Sequence, residues 1–146
     1  MKYHVEDDRI IVAMMRGENL LDNLLTVTKE HNIKAGTFTG IGAVENVTLG
    51  RFDPKRKEYD KREFPSSCEL VSFTGNISLK DGKPFIHCHA VITDHDLKAY
   101  GGHLFGATVA VVGEFVIFPI DGEIIRTYDE KIGLAVWDLE ECSYDK

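Results

Sequence analysis

Apolar and polar positions along the chain change period once, and that change sets the fold class. Residues Tyr3 to Arg16 alternate weakly and carry the run Ile10-Ile11-Val12-Ala13-Met14-Met15, which predicts a strand with a hairpin near Glu6-Asp7-Asp8 and a break at Gly17. From Glu18 to His31 the apolar residues Leu20, Leu21, Leu24, Leu25 and Val27 fall on one face of a helix. Glu18 and Asp22 in its first turn and Lys29 and His31 in its last suit the helix dipole, and Asn32 is its stop.

After Asn32 the helical period disappears. Ala35–Gly40, Val44–Phe52 and Glu69–Leu79, the last resuming after Gly75, read as strands. Asp81-Gly82 is a two-residue hairpin signal that pairs Gly75–Leu79 with a strand from Phe85 to Ile92. Thr108–Pro119 is β-branched and aromatic and reads as a long buried strand. Asp121-Gly122 marks another turn, and Ile124–Tyr128 and Leu134–Leu139, with Trp137, are strands. Many short strands with one main helix predict an α+β class, with a mostly antiparallel, barrel-like sheet.

Composition bounds the rest. The 146 residues, 43% hydrophobic and 28% charged, fit a single domain over residues 1–146 with a core that needs neither disulfide nor metal. No apolar run approaches a membrane span, and MKYHVEDDRI lacks a secretory apolar region, so the expected location is the cytoplasm. Cys68, Cys88 and Cys142 are widely spaced with no CxxC, which fits reduced thiols. The net charge of −7 opposes a protein that binds by neutralising phosphates. The only basic cluster, Asp53–Glu63, sets five cations (Lys55, Arg56, Lys57, Lys61, Arg62) against four anions, and reads as a solvated hairpin loop.

The candidate chemistry lies in FIHCHAVITDHDLKAYGGHLF, residues 85–105, which holds four of the six histidines. Strand alternation puts His87 and His89 on one face, with Ile86, Cys88, Ala90 and Ile92 on the other. Two imidazoles about 7 Å apart at Cα can converge on one metal ion. Gly101-Gly102 would turn the chain so that His103 comes back toward the pair. A lone strand histidine is ordinarily a surface or hydrogen-bonded residue; the i, i+2 pair with a third behind Gly-Gly favours a metal. Asp94, His95 and Asp96 are either polar support for the site or a solvated loop. Glu114 is either an exposed residue or a functional acid. Gly40-Ile41-Gly42-Ala43 lacks the third glycine and following helix of a dinucleotide site, and reads as a turn or bulge.

GIGAV at 40–44, Gly75-Asn76-Ile77-Ser78, Asp81-Gly82-Lys83-Pro84, the HxH of 87–89 and GGHLFG at 101–106 together resemble the plants-and-prokaryotes-conserved (PPC) domain family over nearly the whole chain. The resemblance implies an α+β fold, a homotrimer, and a metal, zinc in the usual case, on His87, His89 and His103. A small-molecule ligand at that metal, and a metal-dependent enzyme, follow as expectations. The fold is also similar to that of acetolactate decarboxylase, whose further catalytic groups have no residue-by-residue match here. DNA contact in plant members is attributed to an AT-hook built on Arg-Gly-Arg-Pro. None occurs here, so specific DNA binding or regulation is the weaker alternative.

Overall fold

The computed structural model describes residues 1–140; Cys142 lies outside them. Strands β1 (Lys2–Glu6) and β2 (Arg9–Met15) form the expected hairpin, turned at Asp7 in the left-handed region at φ 50°. Helix α1 spans Leu20–Glu30. It starts two residues later than Glu18 because Asn19 is the N-cap, its side chain accepting the Asp22 N–H at 3.1 Å. Glu18 instead accepts the Met15 N–H at 2.7 Å and pairs with the N-terminal amine. The helix stops at Asn32, which takes φ 50° as a C-terminal stop does. Leu20, Leu24 and Val27 are buried where α1 lies on the sheet, each worth roughly 1.5–3 kcal/mol.

The sheet is built on two long strands, β3 (Gly36–Asp53) and β7 (Ala99–Pro119), paired antiparallel from Gly36↔Pro119 to Gly50↔His103. Between them lie β4 (Glu58–Phe64), β5 (Cys68–Lys80) and β6 (Lys83–Thr93). The β5–β6 hairpin pairs the first half of β3 on one side and the first residues of β7 on the other. Pairing therefore runs round β3, β5, β6 and β7 without making a true barrel. The last half of β3 continues to β4, and the last half of β7 to β2 and β1, so open edges remain. At the far side β8 (Ile125–Asp129) joins β5 in parallel and β9 (Leu134–Trp137) follows it.

Of the turn or bulge expected at Gly40–Ala43, the bulge is what forms: β3 runs through it, with register shifts after Gly40 and after Gly42. A Cβ on Gly40 would stand 2.0 Å from Phe115 Cδ1, so the glycine admits the ring that joins Phe38 and Phe73 in the core. The Asp53–Glu63 segment is a hairpin whose second arm is strand β4, not a loop alone. Thr108–Pro119 belongs to a strand that begins at Ala99, and it is buried on one face only: Val109, Phe115 and Ile117 point inward while Val111 is 62% exposed. Glu114 is on that exposed face, the bland reading of an acid in this strand.

Candidate metal centre

Asp81 and Gly82 take φ 52° and 71°, the two left-handed positions of a type I′ turn, and they fix the register of β5 against β6. That register sets Cys88, Ala90 and Ile92 into the core and leaves His87 and His89 on the opposite face. His103 arrives by strand pairing: it lies directly opposite His89 in the β6–β7 ladder. The reversal sits earlier than Gly101-Gly102, at 94–98, where Asp94 accepts the N–H groups of Asp96 and Lys98 at 3.0 Å and the Tyr100 hydroxyl at 3.1 Å. Gly101 and Gly102 are extended strand residues, and Gly102 lets β3 pass, since a Cβ there would meet Gly50 O at 2.7 Å. Asp94 is thus spent on folding the turn, and His95 projects into solvent, its side chain 88% exposed.

The three imidazoles each offer a nitrogen within 4.8 Å of the others, with ring centroids 5.2–5.6 Å apart. They line a cavity of about 430 Å³ together with Phe52, Tyr59 and Leu134. Burial, with His87, His89 and Lys61 nearby, pushes the pKa of His103 down to about 4. His87 is also lowered, by burial first and then by Arg126 and His89. Both rings are therefore neutral at pH 7, the state that carries a free lone pair. The Nδ1 of His103 is buried with no hydrogen-bond partner, an atom that coordination would satisfy. Neutral nitrogen donors of this kind suit zinc and its divalent neighbours. The residues fit a metal.

A larger cavity of about 630 Å³ lies away from the histidines, between the β1–β2 turn and the end of α1. Its two cations are paired, Arg9 with Asp8 at 3.1 Å and Lys34 with Glu123 at 3.5 Å.

Comparison with known proteins now bears on the arrangement. The family model for the plants and prokaryotes conserved domain matches residues 1–121. The chain belongs to this family. Solved structures similar to it include a metal-containing protein from Archaeoglobus fulgidus, 34% identical with TM-score 0.82, covering 95% of this chain and 97% of that one. A candidate DNA-binding protein from Bacteroides thetaiotaomicron is 34% identical with TM-score 0.91, covering 94% and 96%. A plant- and prokaryote-conserved protein from Pyrococcus horikoshii is 30% identical with TM-score 0.84, covering 97% of each chain. Among curated proteins, none matches.

Two groups around the PPC domain's histidines escape the sequence reading. Tyr59 stands 5.1 Å from the His103 ring and comes from β4, the charged arm with no apolar period. Arg126, on β8, is 9% exposed and donates to Ser78 Oγ, Asn76 Oδ1 and Ala135 O, each at 2.8 Å, while its Nη2 reaches 3.4 Å from His87 Nδ1. The only sequence signal for Arg126 is a cation in a short β-prone run.

Proposed function

We propose that this PPC-domain protein holds one divalent metal ion, zinc or a close neighbour, on His87, His89 and His103, and presents it to a small-molecule ligand. The observation that carries this reading is the convergence of three imidazole nitrogens within 4.8 Å at the wall of a cavity. Three neutral ligands leave one position of a tetrahedral ion for water or substrate, as in catalytic rather than structural sites. An ion there would polarise a carbonyl or lower the pKa of bound water toward neutrality. The protein's own part is to hold the rings apart in one register, keep His87 and His103 neutral by burial, and shape the space with Phe52, Tyr59 and Leu134. The metal content of the Archaeoglobus relative points the same way.

DNA binding is the weaker reading, although a relative carries that description. Among the described residues, four of the five cations of the 53–63 hairpin, all but Lys55, make side-chain contacts within the fold. Arg56 pairs with Asp53 and Asp60, Lys57 donates to the Glu130 carbonyl, and Lys61 lies 3.9 Å over the Phe105 ring. Arg62 stacks on Phe64 and Tyr100 at 4.8 and 4.7 Å. A homotrimer remains part of the proposal. Ile11, Met15, Ile41, Val71 and Val111 are 46–62% exposed on β2, β3, β5 and β7, an apolar surface that self-association would cover.

Elemental analysis of protein purified without chelator tests the metal. About one divalent ion per chain is expected, falling by most of its value in His87→Ala or His89→Ala. Metal-free unmutated protein after such a preparation sinks the reading.

A further inference from the structure

A second cavity of about 400 Å³ adjoins the first and shares Tyr59, His87, His103 and Leu134 with it. Its other walls include Phe85, Lys80 and Arg126. The first cavity adds Arg51. Arg51 is paired with Asp60 at 3.0 Å, which leaves Lys80 and Arg126 as two cations facing joined cavities that no carboxylate lines among the described residues, in a chain with 24 acidic residues and a net charge of −7.

Arg126 makes the imbalance sharp. It is more than nine-tenths buried, and all its hydrogen-bond partners are uncharged: a hydroxyl, an amide oxygen, a carbonyl and an imidazole. Among the described residues no carboxylate pairs with it. Its guanidinium lies 5.2 Å from the Phe85 ring and 5.9 Å from the Trp137 ring, which soften the charge without cancelling it. Lys80, paired beside Arg126 in the β5–β8 ladder, brings its ammonium over the same Phe85 ring at 5.7 Å. A buried cation without a counter-ion is costly. If the three histidines hold a dication, as proposed above, the local excess grows further, because imidazole ligands cancel none of its charge.

We propose that the joined cavities form one binding site for a small organic anion, a carboxylate on an apolar or aromatic body, with Arg126 and Lys80 as its charge partners. The guanidinium has five N–H donors: three go to Ser78, Asn76 and Ala135, the second on Nη2 faces His87 Nδ1 at 3.4 Å, and the second on Nη1 remains for a ligand. Phe85, Tyr59 and Phe105 supply the apolar wall for the ligand's body.

Benzoate and its neutral counterpart benzamide are the probes, titrated calorimetrically and by the fluorescence of Trp137, the single tryptophan, into zinc-loaded and chelator-treated protein. Benzoate should bind at least tenfold more tightly than benzamide. Arg126→Gln should lose at least tenfold for benzoate and nothing for benzamide, with Arg126→Lys in between. Lys80→Gln, an exposed position that leaves the fold intact, should lose two- to fivefold. Equal affinities for the two probes, no detectable benzoate binding, or a folded Arg126→Gln that binds benzoate like the parent would overturn the site. Should Arg126→Gln not fold, a Lys80→Gln protein with unchanged benzoate affinity overturns it equally. Discrimination in protein that never takes up metal would refute the metal and keep the anion site; bound metal without discrimination would do the reverse.

Discussion

Replacing Gly102 by alanine should loosen the histidine cluster, while the same change one residue earlier should not. The Cβ of an alanine at 102 would meet Gly50 O at 2.7 Å, where ordinary contact begins at 3.4 Å, so roughly 0.7 Å must be found. The obstacle is backbone and cannot rotate away. Gly50 is also the residue paired with His103, so whatever moves to make room moves the third imidazole relative to His87 and His89. Overpacking of this kind costs about 1–3 kcal/mol, and the lower unfolded-state entropy of alanine returns about 0.4–1 kcal/mol. Gly102→Ala should therefore destabilise metal-free protein by about 0.5–2 kcal/mol, a Tm loss of a few degrees at this chain length. Misplacing one ligand through its support should weaken metal binding about 10- to 100-fold. At Gly101 the added Cβ would sit 3.4 Å from Val91 Cγ2 and 3.5 Å from Ala90 O, ordinary contacts, so Gly101→Ala should be neutral or stabilising by up to about 1 kcal/mol. Urea unfolding of both variants without metal, followed by competitive zinc titration, reads both effects. Equal stability and equal metal affinity in the two variants would refute the close-approach argument.

Further outcomes follow from the same geometry. With His103 lowered to about 4 and His87 lowered as well, protons compete for these two ligands only in acid, so metal affinity should fall less steeply below pH 7 than it would for three free imidazoles, as competitive titrations across pH would show. In metal-free protein the unfolded chain binds protons near pH 6.5 that the folded His103 refuses, so stability should fall as pH drops from about 6.5 towards 4, and His103→Gln should flatten that slope in urea titrations. Light scattering should give three times the 16.4 kDa chain mass, and a mass of one chain would exclude the trimer. Fluorescence anisotropy with unrelated duplexes at roughly 150 mM salt should show no sequence-dependent submicromolar binding, since the chain carries a net −7 and Arg56 in the hairpin is already paired with Asp53 and Asp60.

What was legible in the sequence is what short-range chemistry decides. The apolar face of α1, the left-handed turns at Asp7 and Asp81-Gly82, and the alternation that aims His87 and His89 together depend only on near neighbours. The rest depends on partners distant in the chain. Gly101-Gly102 looks like a turn until β3 passes against it, and Gly40-Ile41-Gly42 reads equally as a turn or a bulge until Phe115 fills the space at Gly40 in a continuous strand. Strand β4 is written in Tyr59 and charges because its arm is mostly exposed, so no period announces it. Arg126 reaches Asn76 and Ser78 about fifty residues away, a contact that spacing along the chain cannot announce.

The most direct test of the central claim is an anomalous-difference map, recorded at the zinc absorption edge, from crystals grown without chelator. The account predicts one peak per chain, about 2.0–2.1 Å from a nitrogen of each of His87, His89 and His103, with the remaining coordination position free of protein atoms. A map with no peak among these rings, or with its peak on other residues, would contradict it.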